Sequence, residues 1–448
     1  MFPLILLYLT FVIIRPQDFL PGMGELPLMS VSLLLAFVGW LAAGARTPTA
    51  PQFLLLPLFV LMAMASEVAN GWAGGMLYVL GQLGPAVIVF FVLATSITEP
   101  RRAAAAFGVI GLSAMVLALH SVQQAQNGVG WTGMTLGEDG RVRYVGIFND
   151  PNDLGLLFVM ALPMVLYLAS RAGFLGRWLW RAGALLLLGG VYLTQSRGTQ
   201  LAVLLMLAVY LWQRRGTATA VSLSLAGLVG LMLLPSSRMT ELDVDEPSAF
   251  GRVDAWYEGL DMFKSHPLLG VGAGNFTDYN ELTAHNSFVL VLAETGFLGF
   301  LAWLAFVGYC FWMMWRLLRF HPAPVALPDA PGQAMAAPRP APRGTVARRV
   351  PAPAVAADAT AATDKSLALA LMCALCGFFA AAFFLSRSYN IMLYTLAAIV
   401  VGHYASVRQR HAGLPLFTLS GSGWRWLPIT VVAVAALYVL VAVLLRTS

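Results

Sequence analysis

The chain has 448 residues, of which 59% are hydrophobic and only 11% charged, with a mean hydropathy of +0.76. So large an apolar fraction argues against a soluble enzyme, a secreted disulfide scaffold and a disordered chain, and points to a polytopic membrane protein. The formal net charge of +6 does not speak for nucleic acid, because in a membrane chain basic residues have to be read loop by loop.

Taken in chain order, apolar runs predict membrane helices at 2–14, 27–45, 53–70, 76–98, 103–121, 154–170, 182–195, 199–213, 218–234, 297–315, 366–386, 391–406 and 427–445. A bilayer takes about 20 apolar residues, so the first, seventh and eighth runs are short for a span. The first looks like a signal sequence but lacks a basic start and a small-residue cleavage site. Arg15, Pro16, Gln17 and Asp18 follow it, and it reads as a retained span. The expected fold class is all-α, an integral membrane bundle of about 12–13 transmembrane helices with a large outward loop. The chain divides into N-terminal transmembrane helices (1–121), an outward loop (122–153), helices carrying a Ser-Arg-Gly turn (154–234), a large outward loop (235–296), one further helix (297–319), a linker (320–365) and C-terminal helices (366–448).

Arg46, Arg101, Arg102, Arg171, Arg177, Arg181, Arg214, Arg215, Arg316, Arg319, Arg408, Arg410 and Arg425 fall in the loops of one side, which the positive-inside rule makes cytoplasmic. The linker lies on that side too. Rich in Pro, Ala and Arg, it reads as a disordered segment able to touch anionic lipid. Cys310, Cys373 and Cys376 lie in apolar runs and read as packing residues, and the C-x-x-C spacing of the last two offers no convincing redox or metal site inside a hydrophobic helix.

Chemistry is expected on the outward side, where the two long loops hold charged, Gly, Asn and Asp residues that the spans almost lack. In the smaller loop, RVRYVGIFNDPNDLG places Asn149, Asp150, Asn152 and Asp153 at the start of a span. These four serve either as helix caps or as partners of sugar hydroxyls; the pattern is not that of a Ca²⁺ loop. Arg197, in TQSRGTQ between two short helices, stands at the outer bilayer boundary, where an ionisable side chain is costly and is a functional candidate by default.

The larger loop opens with an acidic run, Glu241, Asp243, Asp245 and Glu246. Val253, Trp256, Tyr257, Leu260 and Phe263 then recur at helical spacing, predicting an amphipathic helix against the membrane surface or the top of the bundle. Arg252 opens that helix, where a cation opposes the helix dipole, so anion binding gains as its reason for being there. His266 and Pro267 end the helix, and Gly270, Gly272 and Gly274 form a turn whose N–H groups either receive an anion or simply reverse the chain. Thr283 is placed to cap a short helix from His285 to Glu294, which Gly296 ends. That sets His285 and its neighbour Asn286 near the outer membrane face. Arg387, in LSRSYN, stands at the outer end of a later span, where snorkelling explains it as well as ligand binding does.

Three of these segments in order, SRG between short helices, GRVDAWYEGLDMFKSHPLLGVGAGNF and AHNSFVLVLAETGFLG, resemble the O-antigen ligase and O-antigen polymerase superfamily of bacterial envelope glycan transferases. The resemblance is strongest over about 185–315, and FNDPNDLG is a plausible added element. It implies a glycosyltransferase of the bacterial inner membrane that takes a glycan from undecaprenyl pyrophosphate at the periplasmic face, needing no metal, nucleotide or other cofactor. The acceptor would be a lipid or another glycan. Carried over residue by residue, the SRG arginine is Arg197, the arginine of the GR-x-x-x-W motif is Arg252, and the histidine of H-N-S is His285. Asn149, Asp150, Asn152, Asp153, Asn286 and Arg387 are candidates for binding the substrate around them.

The chemistry of these residue types agrees with the resemblance. Departure of a polyprenyl pyrophosphate needs negative charge stabilised, which arginine does permanently and with two parallel donors. The acceptor hydroxyl must lose a proton near neutral pH, a task suited to histidine. A direct displacement would invert the anomeric centre. Two alternatives remain open: a ligase that glycosylates protein hydroxyls, and a transporter or flippase of lipid-linked oligosaccharide. A transporter normally places ionisable residues at the bilayer midplane, whereas here polarity concentrates at the outer edge.

Overall fold

The computed structural model describes residues 1–137, 140–232, 247–321 and 353–447. Helices α1 (Phe2–Ile14), α2 (Leu28–Ala42), α3 (Gln52–Ala69), α4 (Gly75–Ser96) and α5 (Pro100–Asn127) precede the smaller loop. Helices α6 (Pro151–Arg171), α7 (Phe174–Leu193), α8 (Arg197–Arg215) and α9 (Thr217–Met232) follow it. The larger loop holds α10 (Pro247–Ser265) and a single turn, α11 (Phe276–Tyr279). Then come α12 (Ser287–Arg319), α13 (Pro353–Ala382), α14 (Ile391–Arg410), the turn α15 (Leu419–Ser422) and α16 (Trp426–Thr447). Every apolar run named above falls on a helix, and no β-strand occurs among the described residues.

Eight of these helices are long and apolar enough to cross a membrane, and the chain is a multi-pass, all-α membrane protein. α1, α2 and α9 have only 13, 15 and 16 residues, and α7 and α8 carry arginines in their end turns. Hydropathy alone does not say which helices lie at the centre. The apolar windows of α6 and α14 are 83% buried among other helices, whereas that of α16, the most apolar of all, is 17% buried. Lipid tails compete equally for large apolar side chains, so close backbone approach is one of the few things that favours helix on helix. At Gly402 of α14 a Cβ would come within 2.7 Å of the Ala94 carbonyl of α4.

Several boundaries differ from the sequence reading. α7 begins at Phe174, so Arg177 and Arg181 belong to its first two turns and not to a loop. α13 begins at Pro353, so the end of the linker, expected to be disordered, continues the helix; the stretch 322–352 and the acidic run Glu241–Glu246 lie outside the described residues. α10 begins at Pro247, which puts Arg252 beyond the first turn, and the helix-dipole argument for it falls. Trp256 and Leu260 of α10 are buried and Tyr257 is exposed, with the buried face against α12 and α16, so α10 lies on the bundle.

The larger loop is shaped by a break inside α12. Gly296 has φ 61° and ψ −165°, and a Cβ there would stand 2.5 Å from backbone atoms of Leu268 and Leu269, a contact only glycine avoids. Across this break the chain pairs with itself. Val271 and Gly272 N–H donate to the carbonyls of Ala293 and Glu294 at 3.0 and 3.1 Å, and Phe297 N–H donates to Pro267 O at 2.9 Å. Gly296 thus ends a short helix before the full span, as the sequence predicts. The cap at its other end is Asn286, whose Oδ1 accepts from Phe288 and Val289 N–H at 2.9 and 3.2 Å. Thr283, expected in that role, instead donates to Ser386 Oγ at 2.8 Å.

Candidate functional site

Four segments of distant sequence meet at one end of the bundle: 141–153, 194–199, 283–287 and 383–390. Their mutual hydrogen bonds fix the arrangement. Ser287 Oγ donates to Leu385 O at 2.6 Å and accepts from Arg387 N–H at 2.9 Å, while Ser388 Oγ donates to Ser287 O at 2.7 Å. Arg141 joins two others, with Nε donating to Thr194 O and Nη2 to Asn152 Oδ1, both at 2.9 Å. Gly198 packs directly against Phe384. The loop before α14 is therefore part of the wall around this end.

A cavity of about 890 Å³ opens here. Three arginines, Arg15, Arg143 and Arg387, face two aspartates, Asp150 and Asp153, along its lining, together with Asn149, Tyr78, Gln82, Tyr389 and Asn390. Arg387 clasps Asp153 through both carboxylate oxygens, and the Asp153 side chain is 3% exposed. Arg15 pairs with Asp18 just outside, in a turn held to the smaller loop by Tyr144, whose hydroxyl donates to Ile14 O at 2.7 Å. Arg143 is held by the carbonyl and hydroxyl of Thr135 at 3.0 and 3.3 Å, neither of which neutralises it. The lining thus sets guanidinium groups beside neutral amide and phenol groups, with Arg143 held by no carboxylate among the described residues, a surface that suits an anion carrying polar hydroxyls.

The Asn/Asp cluster divides its work. Asp150 caps α6 by accepting from Asn152 N–H at 2.6 Å and also lines the cavity, so the cap and the binding surface are the same residue. Asn149 is exposed on the lining. Asn152 is engaged by Arg141, and Asn286 is buried with Oδ1 on its own helix start. Asn286 therefore serves locally as a cap.

His285 stands on the turn before that cap with φ 45°, a left-handed conformation that side chains other than glycine adopt reluctantly. It is half-buried. Burial first, then the charges of Arg252 and Arg387, pull its pKa below the ordinary 6.5, with Asp150 pulling the other way. The neutral imidazole is the favoured form. Arg252 reaches this neighbourhood from α10, which is tied to the turn by Trp256, one helical turn further along the same face, whose indole N–H donates to Ala284 O at 2.8 Å. Arg197 is the first residue of α8, above the Ser196 cap, and is half-buried. None of Arg197, Arg252 and His285 lines the 890 Å³ cavity.

The glycine turn of the larger loop receives an internal carboxyl group. Glu294, 2% exposed, accepts from Phe276 N–H at 3.3 Å and from the Gly274 backbone, and its other oxygen accepts the Tyr389 hydroxyl at 2.6 Å. Burial first and Glu294 second hold the Tyr389 phenol well above its ordinary pKa, so it stays protonated as a donor. Among the described residues no three His, Cys, Asp or Glu side chains come together as a metal-ligand set.

Arg15, Arg143 and Tyr389 were not picked out from the sequence. A signal for the arginines existed: each follows or precedes an apolar span on the outward side, the same placement that singled out Arg197. No curated protein matches the chain. Residues 182–304, from α7 through the Gly296 break and into the second half of α12, match the family model described as O-antigen ligase, and the three motifs of the sequence fall within or across that stretch. This stretch, well under half of the chain, is similar to the O-antigen ligase family, and the match supports the O-antigen ligase and polymerase superfamily reading.

Proposed function

We propose that the protein transfers a glycan from undecaprenyl pyrophosphate to a hydroxyl acceptor at the periplasmic face of the bacterial inner membrane, as a polymerase or ligase in O-antigen or exopolysaccharide assembly. The observation that carries this reading is the convergence of His285, with its low pKa, and Arg252 on the same bundle end as a large cavity lined by three arginines. In the proposed reaction the acceptor oxygen forms a bond to the anomeric carbon as the bond from that carbon to the pyrophosphate oxygen breaks. The proton of the acceptor passes to the neutral imidazole of His285, and the electron pair leaves with the pyrophosphate. Guanidinium groups, with Arg197 and Arg252 assigned by motif and Arg387 by position, stabilise the charge that grows on that leaving group. A single displacement of this kind inverts the anomeric centre and calls for no metal.

The test uses purified protein in detergent with undecaprenyl-pyrophosphate-linked oligosaccharide. A glycan ladder that grows without added acceptor, and is lost in His285→Ala, identifies a polymerase. Transfer that appears only when lipid A core or a protein is supplied identifies a ligase. Absence of transfer with every acceptor, alongside movement of the lipid-linked glycan between leaflets of a vesicle, would replace the enzyme reading by transport.

A further inference from the structure

At the opposite end of the bundle a groove of about 330 Å³ opens between α6, α7, α8 and α13, and its polarity is graded. On α6 the lining runs from buried Pro163 to Ser170, on α8 from buried Met206 to Arg214, and on α13, which runs the other way, from buried Cys373 to Ser366. Each stretch covers eight or nine residues, about 10–12 Å of helix. All three place their apolar residue deep; Ser170 and Arg214 stand at the ends of α6 and α8, and Ser366 lies alongside them from within α13. Arg181 of α7 joins Arg214 there, so two exposed guanidinium groups crown an apolar trough.

Neither arginine has a carboxylate within ion-pair distance among the described residues. Asp364, the acid whose field reaches Tyr167 in the groove wall, is itself held by Arg410 through two hydrogen bonds of 2.8 and 3.0 Å. A ligand with a second, cationic group would find no partner for it. We propose that this groove binds one anionic phospholipid, with its phosphodiester between Arg181 and Arg214, its headgroup hydroxyls near Ser170 and Ser366, and one acyl chain laid toward Cys373. Basic pockets between membrane helices recognise headgroups in this way, through charge at the bilayer edge and apolar surface below it. The proposal stands apart from glycan transfer and uses none of the residues assigned to it.

Native mass spectrometry of the detergent-purified protein, offered equal amounts of phosphatidylglycerol, phosphatidylcholine and undecaprenyl phosphate, tests it. Phosphatidylglycerol should be retained over phosphatidylcholine by about tenfold. The pair Arg181→Gln and Arg214→Gln should erase that preference, and Leu207→Trp, which crowds the groove from its rim, should lower retention with both cations in place. Equal retention of the two phospholipids by the unaltered protein, or an unchanged preference in both variants, would overturn the proposal. Displacement of phosphatidylglycerol by undecaprenyl phosphate would overturn it too, by making the groove a carrier site.

Discussion

The stretch matching the O-antigen ligase family and the rest of the chain contribute different things to the same end of the bundle. Residues 182–304 supply Arg197, Arg252 and His285, yet only Ala273 and Gly274 of that stretch line the large cavity. The arginines, aspartates and tyrosines of the lining come from α1, α4, the smaller loop and the loop before α14. The motifs therefore mark where proton transfer is proposed, while the space that would hold a substrate is built by segments outside the match. Substitutions on the two sides of this division should fail in different ways.

The largest effect is expected inside the matched stretch. His285→Ala should lower transfer by about 10²–10⁴-fold, the usual worth of a positioned proton-transfer group, with glycan-donor binding retained. Loss of donor binding with transfer per bound donor unchanged would break the division by moving His285 into the binding surface. Outside the match, Arg387→Ala leaves the buried Asp153 carboxylate without its partner. This should cost on the order of 3 kcal/mol of stability, read as a lower unfolding midpoint in detergent. The double variant Asp153→Asn with Arg387→Gln should recover most of that stability while remaining poor in donor binding. Equal stability of the single and double variants would show that the pair does not hold the wall.

At the junction of the two regions, Gly296→Ala forces a Cβ into the backbone of Leu268 and Leu269 at a φ of 61°. A cost of about 2 kcal/mol is expected, with transfer falling because the helix carrying the His285 turn is displaced. Unchanged stability and activity would mean that the α12 break is not needed to place that turn.

How much of this was legible in the sequence follows from the reach of each signal. Apolar runs of 13 to 23 residues are local, and each run falls on a helix, including the short one ending at Ile14. Thr283 was read as the cap and Asn286 as a substrate-binding candidate although both are good caps, and the choice was made by Ser386, a residue 103 positions away that engages Thr283. The glycine turn read more readily as a plain turn than as an anion site, since no spacing rule says that Glu294 folds back onto it. Arg387 read equally well as a snorkelling side chain or a ligand-binding one, and nothing near it in sequence pointed to Asp153, 234 positions away, which it grasps. Caps, turns and spans were readable; which polar group meets which across the bundle was not, because that is set by packing of central helices whose hydropathy resembles that of the peripheral ones.

The smallest expected effect joins the two regions through charge. The folded state holds the His285 pKa below 6.5, so the neutral imidazole persists as pH falls from 8 through 6.5, and transfer should stay level over that range. As pH falls from 6.5 toward the folded pKa the unfolded chain takes up a proton that the folded imidazole does not, so the stability contribution of this group declines over that window, and activity declines as pH falls through the folded pKa. Arg387 and Arg252 help hold the pKa down, and Asp150 opposes them. Asp153→Asn with Arg387→Gln removes one of those cations without touching the matched stretch, and the acid limb of the pH–rate profile should move to higher pH. An acid limb in the same place would mean that the loop before α14 builds the cavity without tuning His285, and the two regions would then be coupled by shape alone.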